Sequence, residues 1–311
     1  MPCAAGVCPA PLACASCQLL KTPAVEAAHV HALYERIAPH FSATRHSPWP
    51  RVAEFLRGLP ANALVADVGC GNGKYAGAAG GLLWLGLDRS PSLLALARPR
   101  AAAAAADFCA ADALRLPLRD GVADAALCVA VLHHISTAGR RAALLREVLR
   151  VTAPARGGAA SGLVLVQAWA LEQGAGDGGG GSLAAAVPHG APGGRDLLVP
   201  WRMPLADPDP AGAADAAPDR LRAAAEAAGG AFDAGRRALV VQRFCHMFVG
   251  GELEALARAA VEGGGGGTLL GGGGGSGAEA LAAAHPTALV VEVVDVWWER
   301  GNHAMILRRL Q

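Results

Sequence analysis

The sequence predicts an α/β protein on a mostly parallel seven-stranded sheet that ends in an antiparallel C-terminal hairpin, and three features carry that expectation. Apolar runs of strand length alternate with helically spaced ones from residue 63 to 170. The first run breaks into a glycine turn, and two β-rich runs at the end of the chain flank a tight turn. Repeated βα units of this length require a parallel sheet covered on both faces.

Ahead of the sheet, Val30, Leu33, Ile37 and Phe41 recur at helical spacing within 25–41, and the prolines at 48–50 suit the start of a second helix. Strands are expected near 63–68, 82–87, 105–111, 123–131 and 162–170, with helices after the glycine turn, at 90–98 and at 137–151. Residues 174–219 are rich in Gly, Pro, Ala and Asp without periodicity and read as a low-complexity insertion around one less random island, Asp196-Leu-Leu-Val-Pro-Trp201. An ordered stretch at 220–228, a strand at 238–244 and a helix at 252–260 follow. A second insertion covers 263–280. The runs 288–298 and 303–310 then close a hairpin about Glu299-Arg-Gly-Asn302. The expected organisation is a disordered Cys/Ala/Pro-rich tail at 1–22 and one catalytic domain at 23–311.

Composition narrows the function classes. Of the 311 residues 17% are charged and the formal net charge is +1, so nucleic acid could be held only by a local patch or through a partner. No run approaches 18 apolar residues, and the N-terminus lacks a charged segment leading into an apolar core. A soluble protein of the cytoplasm or nucleus is expected. Cys70, Cys109, Cys128 and Cys245 fit as small reduced hydrophobes. Cys3, Cys8, Cys14 and Cys17 could together close a zinc site, but they lie in a segment with no hydrophobic pattern, and a disordered tail accounts for them as well.

The glycine turn is Asp67-Val-Gly-Cys-Gly-Asn-Gly73, followed by Lys74. Glycine at 69, 71 and 73 lets the backbone take positive φ and approach a ligand closely. A dinucleotide fingerprint would be G-x-G-x-x-G, whereas here Lys74 stands where its third glycine belongs. S-adenosylmethionine suits the pattern better, with Asp67 near its amino group and Asp88, at the end of the next strand, on its ribose hydroxyls. A dinucleotide and an empty βα turn are the alternatives. Asp112, after the third strand, could accept from the adenine amino group or simply form a turn. Asp124 reads as structural.

Several further segments resemble the eukaryotic tRNA methyltransferases that esterify the carboxymethyl group of 5-carboxymethyluridine at the wobble position, a domain fused in animals to an AlkB-type dioxygenase. They are Tyr34 to Pro50, with its Ala-Pro-His-Phe-Ser core, Leu87-Asp-Arg-Ser90, Ala111 to Pro117, Val131-Leu-His-His-Ile-Ser-Thr137, Trp169-Ala-Leu-Glu-Gln173, Leu198-Val-Pro-Trp201 and Arg243-Phe-Cys-His-Met-Phe248. The resemblance implies a class I S-adenosylmethionine-dependent methyltransferase of Rossmann-like fold, a tRNA substrate, and a small zinc-binding activator subunit docked on the third, edge strand. Such an edge, Ala-rich and poorly charged here, is open to pairing. One departure stands out: the family usually has two tryptophans after Glu299-Arg-Gly-Asn302, where this chain has His303-Ala304 and carries Trp297-Trp298 instead.

A carboxylate acceptor is ionised at neutral pH, so methyl transfer to it needs positioning rather than a general base. Arginine and histidine are the residues to supply it. Arg45, after the first helix, is expected to orient the acceptor, with His134 and Arg140 at the same mouth and His133 turned to the cofactor. A surface ion pair for Arg45, a core or capping role for the histidines and a solvated helix face for Arg140 are the alternatives. A small-molecule, quinone-type methyltransferase and a non-catalytic scaffold share the glycine turn and Asp88 but not the flanking segments.

Overall fold

Among the described residues eight strands, rather than the expected seven, form the central sheet. The computed structural model describes residues 19–45, 47–101, 105–156, 160–173, 183–191, 193–208, 216–263, 267–271 and 288–311; the four N-terminal cysteines and much of both expected insertions lie outside them. With strands numbered along the chain, the sheet holds β1 (Leu64–Val68), β2 (Leu83–Asp88), β3 (Ala106–Ala110), β4 (Ala125–Val129), β5 (Leu163–Trp169), β10 (Thr268–Leu270), β11 (Val290–Glu299) and β12 (Asn302–Arg309). Their order is β10-β11-β12-β5-β4-β1-β2-β3. β1 to β5 run parallel, and β12 enters antiparallel between β5 and β11. This is the class I methyltransferase arrangement, with the order reversing between β1 and β4. The additional edge strand β10 comes from within the stretch expected to be a low-complexity insertion at 263–280.

Helices cover both faces, as the parallel strands require. Alternate residues split the core: Ala66, Val68, Val164 and Val166 face the helices Ala138–Val151 and Glu252–Glu262, whereas Val65, Leu127 and Leu165 face the helix Pro50–Arg57. In chain order the helices are α1 (Ala32–Thr44), α2 (Pro50–Arg57), α3 (Pro91–Ala97), α4 (Ala138–Val151), α5 (Ala217–Ala227) and α6 (Glu252–Glu262). Caps match the sequence. Ser90 Oγ accepts from Leu93 N at 3.2 Å and Thr137 Oγ1 from Arg140 N at 3.3 Å.

The helix expected after the glycine turn is absent. Residues 71–81 are turns and bends, because Gly71, Gly73, Gly77 and Gly81 all take positive φ and the bonds that form, such as Gly73 N to Cys70 O and Ala76 N to Gly73 O, close three-residue rather than four-residue steps. The displaced tryptophans find a simple explanation in the hairpin register. Trp297 lies opposite Ala304 and Trp298 opposite His303. Directly opposed residues share a face, so the indoles occupy from β11 the two rows that tryptophans at 303 and 304 would occupy from β12.

The larger correction concerns 174–219. Its described part contributes β6 (Val187–Pro188) and β7 (Asp196–Pro204), which join β8 (Ala231–Asp233) and β9 (Ala238–His246) in a second, antiparallel sheet of order β6-β7-β9-β8. β7 and β9 pair over nine residues, from Asp196↔His246 to Pro204↔Ala238. The less random island Asp196–Trp201 is the first part of β7, but a proline at its centre, charges at Asp196 and Arg202 and a buried stretch of only Val199, Pro200 and Trp201 left no strand periodicity to read. Leu33 and Ile37 of α1 pack on Trp201, Leu239 and Val241 of this sheet.

The segment before α1 runs from Ala24 through a π-helical stretch, Ala27–His31. One buried ion pair holds it in place. Glu26, fully buried, takes Arg140 Nη2 at 2.7 Å and Nε at 3.1 Å, and also Ser136 N at 2.8 Å and Ser136 Oγ at 2.7 Å. Arg140 Nη1 caps the carbonyls of Leu19 and Lys21. Arg140 is therefore committed to fastening this segment to α4, not to the mouth of the site. Replacing Glu26 by Gln leaves a buried guanidinium without its anion and should cost about 3–5 kcal/mol in urea denaturation, and the double change Glu26→Leu/Arg140→Met should recover much of it.

Candidate cofactor and acceptor site

A cavity of about 440 Å³ opens at the carboxyl ends of β1, β2 and β4, where the strand order reverses and ligands of open α/β sheets bind. Its floor is the glycine turn. Gly69 has φ +76°, and a Cβ there would stand 2.2 Å from Val131 Cγ2; at Gly73, φ +69°, it would meet Phe108 Cζ at 2.9 Å. Gly71 also has positive φ, and its Cβ would be 3.5 Å from Phe41. The turn is fixed by Asp88, whose Oδ2 accepts from Gly71 N and Oδ1 from Ser90 N, both at 2.8 Å. Each carboxylate oxygen keeps a lone pair, so Asp88 can brace the turn and still accept from a diol.

Asp67 lines the same end and is almost fully buried, and among the described residues its Oδ2 has no hydrogen-bond partner. Burial, then the nearby Asp88, push its pKa up to about 7 despite the opposing pull of Lys74. An orphaned, buried carboxylate facing the cavity fits the ammonium group of S-adenosylmethionine, and the glycine cradle leaves no Cβ in the way. Asp112 also lines the cavity, but its oxygens are engaged, Oδ1 with Leu114 N at 3.0 Å and Oδ2 with Arg89 at 2.5 Å. It serves its turn as well as facing the cavity. Asp124 is structural as expected, accepting from Leu64 N at 2.8 Å.

The other end of the cavity is aromatic and cationic. His134 is buried with both ring nitrogens spoken for: Nδ1 lies 2.8 Å from Phe244 O, which can only accept, so Nε2 must accept from Tyr34 OH at 2.8 Å. Burial, then the charge of Arg243, lower its pKa to about 3. His133 Nδ1 accepts from Trp169 N at 3.2 Å, its ring stacks on Trp169, and burial followed by His134 keeps its pKa well below the usual value. Both histidines are neutral fixtures. Together with Cys245 they bring three potential ligand atoms within 4.8 Å, but the backbone bond to His134 Nδ1 occupies the nitrogen nearest the thiol.

Arg45 ends α1 at the rim, its guanidinium 5.3 Å from the centre of the Trp201 ring. Partial desolvation and the like charge of Arg243 lower its pKa. Arg243, Tyr34 and Trp201 lie in the family-like segments but are not among the site residues expected from the sequence. The guanidinium of Arg243 on β9 is buried between Trp169, at 4.5 Å, and Trp201, at 5.2 Å, and its Nε has no partner. Trp201 is itself held by its Nε1–H donating to His40 Nδ1 at 3.2 Å. Among the described residues neither arginine has a carboxylate partner. The sequence signal was available: an arginine inside the apolar run Ala238 to Cys245 is a charge where a strand buries its side chains.

Residues 66–158 match a family described as a methyltransferase domain. Among curated proteins, the mouse tRNA (carboxymethyluridine(34)-5-O)-methyltransferase ALKBH8 is 48% identical over 149 residues, 48% of this chain and 21% of that protein. The Xenopus tropicalis protein of that name is 37% identical over 256 residues, covering 75% and 37%. In Schizosaccharomyces pombe a tRNA (carboxymethyluridine(34)-5-O)-methyltransferase is 34% identical over 232 residues, 75% of this chain and 87% of that one. The chain thus spans about a fifth of the mouse relative and most of the yeast one.

Asp67 makes cofactor binding depend on pH. A cationic ligand group binds the ionised form, so with a pKa of about 7 the affinity for S-adenosylmethionine should rise about tenfold from pH 6 to pH 8. Calorimetric titration should register that rise, and Asp67→Asn should flatten it. Without ligand the sign reverses. The folded state holds this proton above the ordinary carboxylate range and the unfolded state does not, so the group lowers stability as pH climbs from about 4 to about 7.

Proposed function

This chain belongs to the tRNA (carboxymethyluridine(34)-5-O)-methyltransferase family, and from that premise we propose that it converts 5-carboxymethyluridine at the wobble position of tRNA into its methyl ester. The observation that carries the reading is Arg243, a buried guanidinium beside the cavity with no anion of its own. An acceptor carboxylate completes that site.

When bound, S-adenosylmethionine supplies a methyl group made electrophilic by its sulfonium. Asp67, Asp88 and the turn at Gly69, Gly71 and Gly73 are the residues to hold it, with Asp112 at the adenine end. Arg243 offers the acceptor a planar fork that takes one or both carboxylate oxygens while a lone pair stays exposed. Arg45, more accessible, meets the same carboxylate or a neighbouring phosphate at the rim. The new bond would join a carboxylate oxygen to the methyl carbon as the carbon–sulfur bond breaks, its electron pair leaving on the neutral sulfur, and no proton moves. His134 consequently has no acid–base task; it fixes the hydroxyl of Tyr34 against Arg243. Esterification removes the acceptor's charge, so Arg243 loses its counterion in the product complex and release is favoured.

A small zinc-binding activator subunit on β3 belongs to the same proposal. Among the described residues β3 pairs only with β2 and ends the sheet, leaving Asp107, Cys109 and Ala110 exposed. Coexpression with the activator of the same organism should raise solubility and cofactor binding; identical behaviour with and without it would remove the subunit from the proposal.

Mass spectrometry of wobble nucleosides from a knockout tests the reaction: carboxymethyluridine should accumulate at the expense of its ester, and an undiminished ester sinks the reading. In vitro, Arg243→Lys should lower kcat/KM on the order of a hundredfold and Arg243→Met further, with cofactor affinity unchanged.

A further inference from the structure

Outside the cavity the sheet carries a second aromatic surface. Trp298 of β11 is 44% exposed, with Val296 beside it on the strand and Leu171, in the loop after β5, similarly open. The register places this patch. Trp298 lies opposite His303, and His303 opposite Ala168, so two strand spacings, about 10 Å, separate the indole from the residue preceding Trp169 of the cavity wall.

The patch is rigid. Trp298 Nε1–H donates to Glu172 O at 3.1 Å, and His303 Nε2 meets Glu172 Oε2 at 3.0 Å. Gln173 Nε2 donates to Ala170 O at 2.6 Å and to Gly301 O at 3.1 Å, tying the loop to the hairpin tip. The indole's only polar atom is thereby used, which leaves it a flat apolar face. Arg300, exposed at the tip with φ +47°, stands two residues along.

We propose that Trp298, flanked by Leu171 and Val296, is a stacking platform for an unpaired nucleobase adjoining the uridine held in the cavity, with Arg300 facing the phosphate between them. This rests on the RNA reading above. A base drawn into a closed cavity leaves its own stack, and its neighbours lose a face that an aromatic side chain can replace. The patch shares the carboxyl end of the sheet with the cavity mouth; Trp298 lies on the face of Ala168 and Trp169 on the other, so nucleotides leaving the mouth would cross the strand ends to reach it. A protein partner is the poorer occupant, since a stable interface buries roughly 800 Å² per side and this patch, Leu171, Trp298 and Val296 with Val294 next along the strand, offers four apolar side chains.

The test is binding of a fluorescein-labelled anticodon stem-loop to the full chain, followed by anisotropy, with methylation of the carboxymethyluridine-containing stem-loop measured in parallel. Trp298→Ala should weaken binding about tenfold and raise KM for the stem-loop similarly, with kcat, cofactor affinity and melting temperature held, and Trp298→Phe should recover most of the loss. Unchanged stem-loop binding in Trp298→Ala overturns the platform even if methylation proceeds. Equal weakening in Trp298→Ala and Trp298→Phe also overturns it, because a stacking face would have been conserved to no effect. Trp298-dependent binding without any methyl transfer by the unmodified chain supports the platform and sinks the proposed reaction instead.

Discussion

Burying the Arg243 guanidinium between two indoles costs solvation that, among the described residues, Tyr34 and Cys245 offset by hydrogen bonds but no carboxylate does, and a buried charge without a counterion stays expensive. Much of the site is arranged around that cost. Trp169 at the end of β5 and Trp201 on β7 face the cation, Tyr34 comes from α1, and His134 secures Tyr34 from the loop after β4. Four parts of the fold meet at one charge. The second sheet exists, in effect, to carry Arg243 and Trp201 over the ends of the first.

The cavity is electrically divided. Asp67 and Asp88 gather at the glycine turn, Arg45 and Arg243 at the aromatic end, and the two neutral histidines lie along its wall. Each end strains against itself: Asp88 helps raise the pKa of Asp67, and Arg243 helps lower that of Arg45. Such strain is relieved by ligands of opposite sign. A cationic donor and an anionic acceptor, one at each end, would restore both carboxylate and guanidinium to their preferred states, and the transfer would then neutralise both partners at once.

Two of the three residues assigned to acceptor handling from the sequence changed meaning in the structure. Arg140 has the right position in the chain, at the start of α4, but Glu26 lies between it and any acceptor role. His134 does line the cavity, yet bonds to Phe244 and Tyr34 leave it no free nitrogen. Residue type and topological position could not foresee either outcome, because both depend on a partner more than a hundred residues away. The glycine turn, by contrast, was legible in detail, since φ > 0 and the exclusion of a Cβ are local requirements that only glycine meets cheaply. Its following helix was over-read for the same local reason: five glycines in eleven residues support a turn better than an α-helix.

What the sequence by itself determined was whatever local periodicity and short-range chemistry can encode: the order of strands β1 to β5, the helices at 90–98 and 137–151, the glycine cradle with Asp67 and Asp88, and the closing hairpin. The second sheet, the eighth strand, the transposed indoles and the unpaired arginine were decided by tertiary structure alone. β7 and β9 are joined by about thirty residues of weakly patterned chain, so their pairing is a long-range contact whose free energy comes from burial against α1 rather than from propensity. A buried charge, too, is defined by what surrounds it. The residue is written in the sequence; the absence of its counterion is a property of the fold.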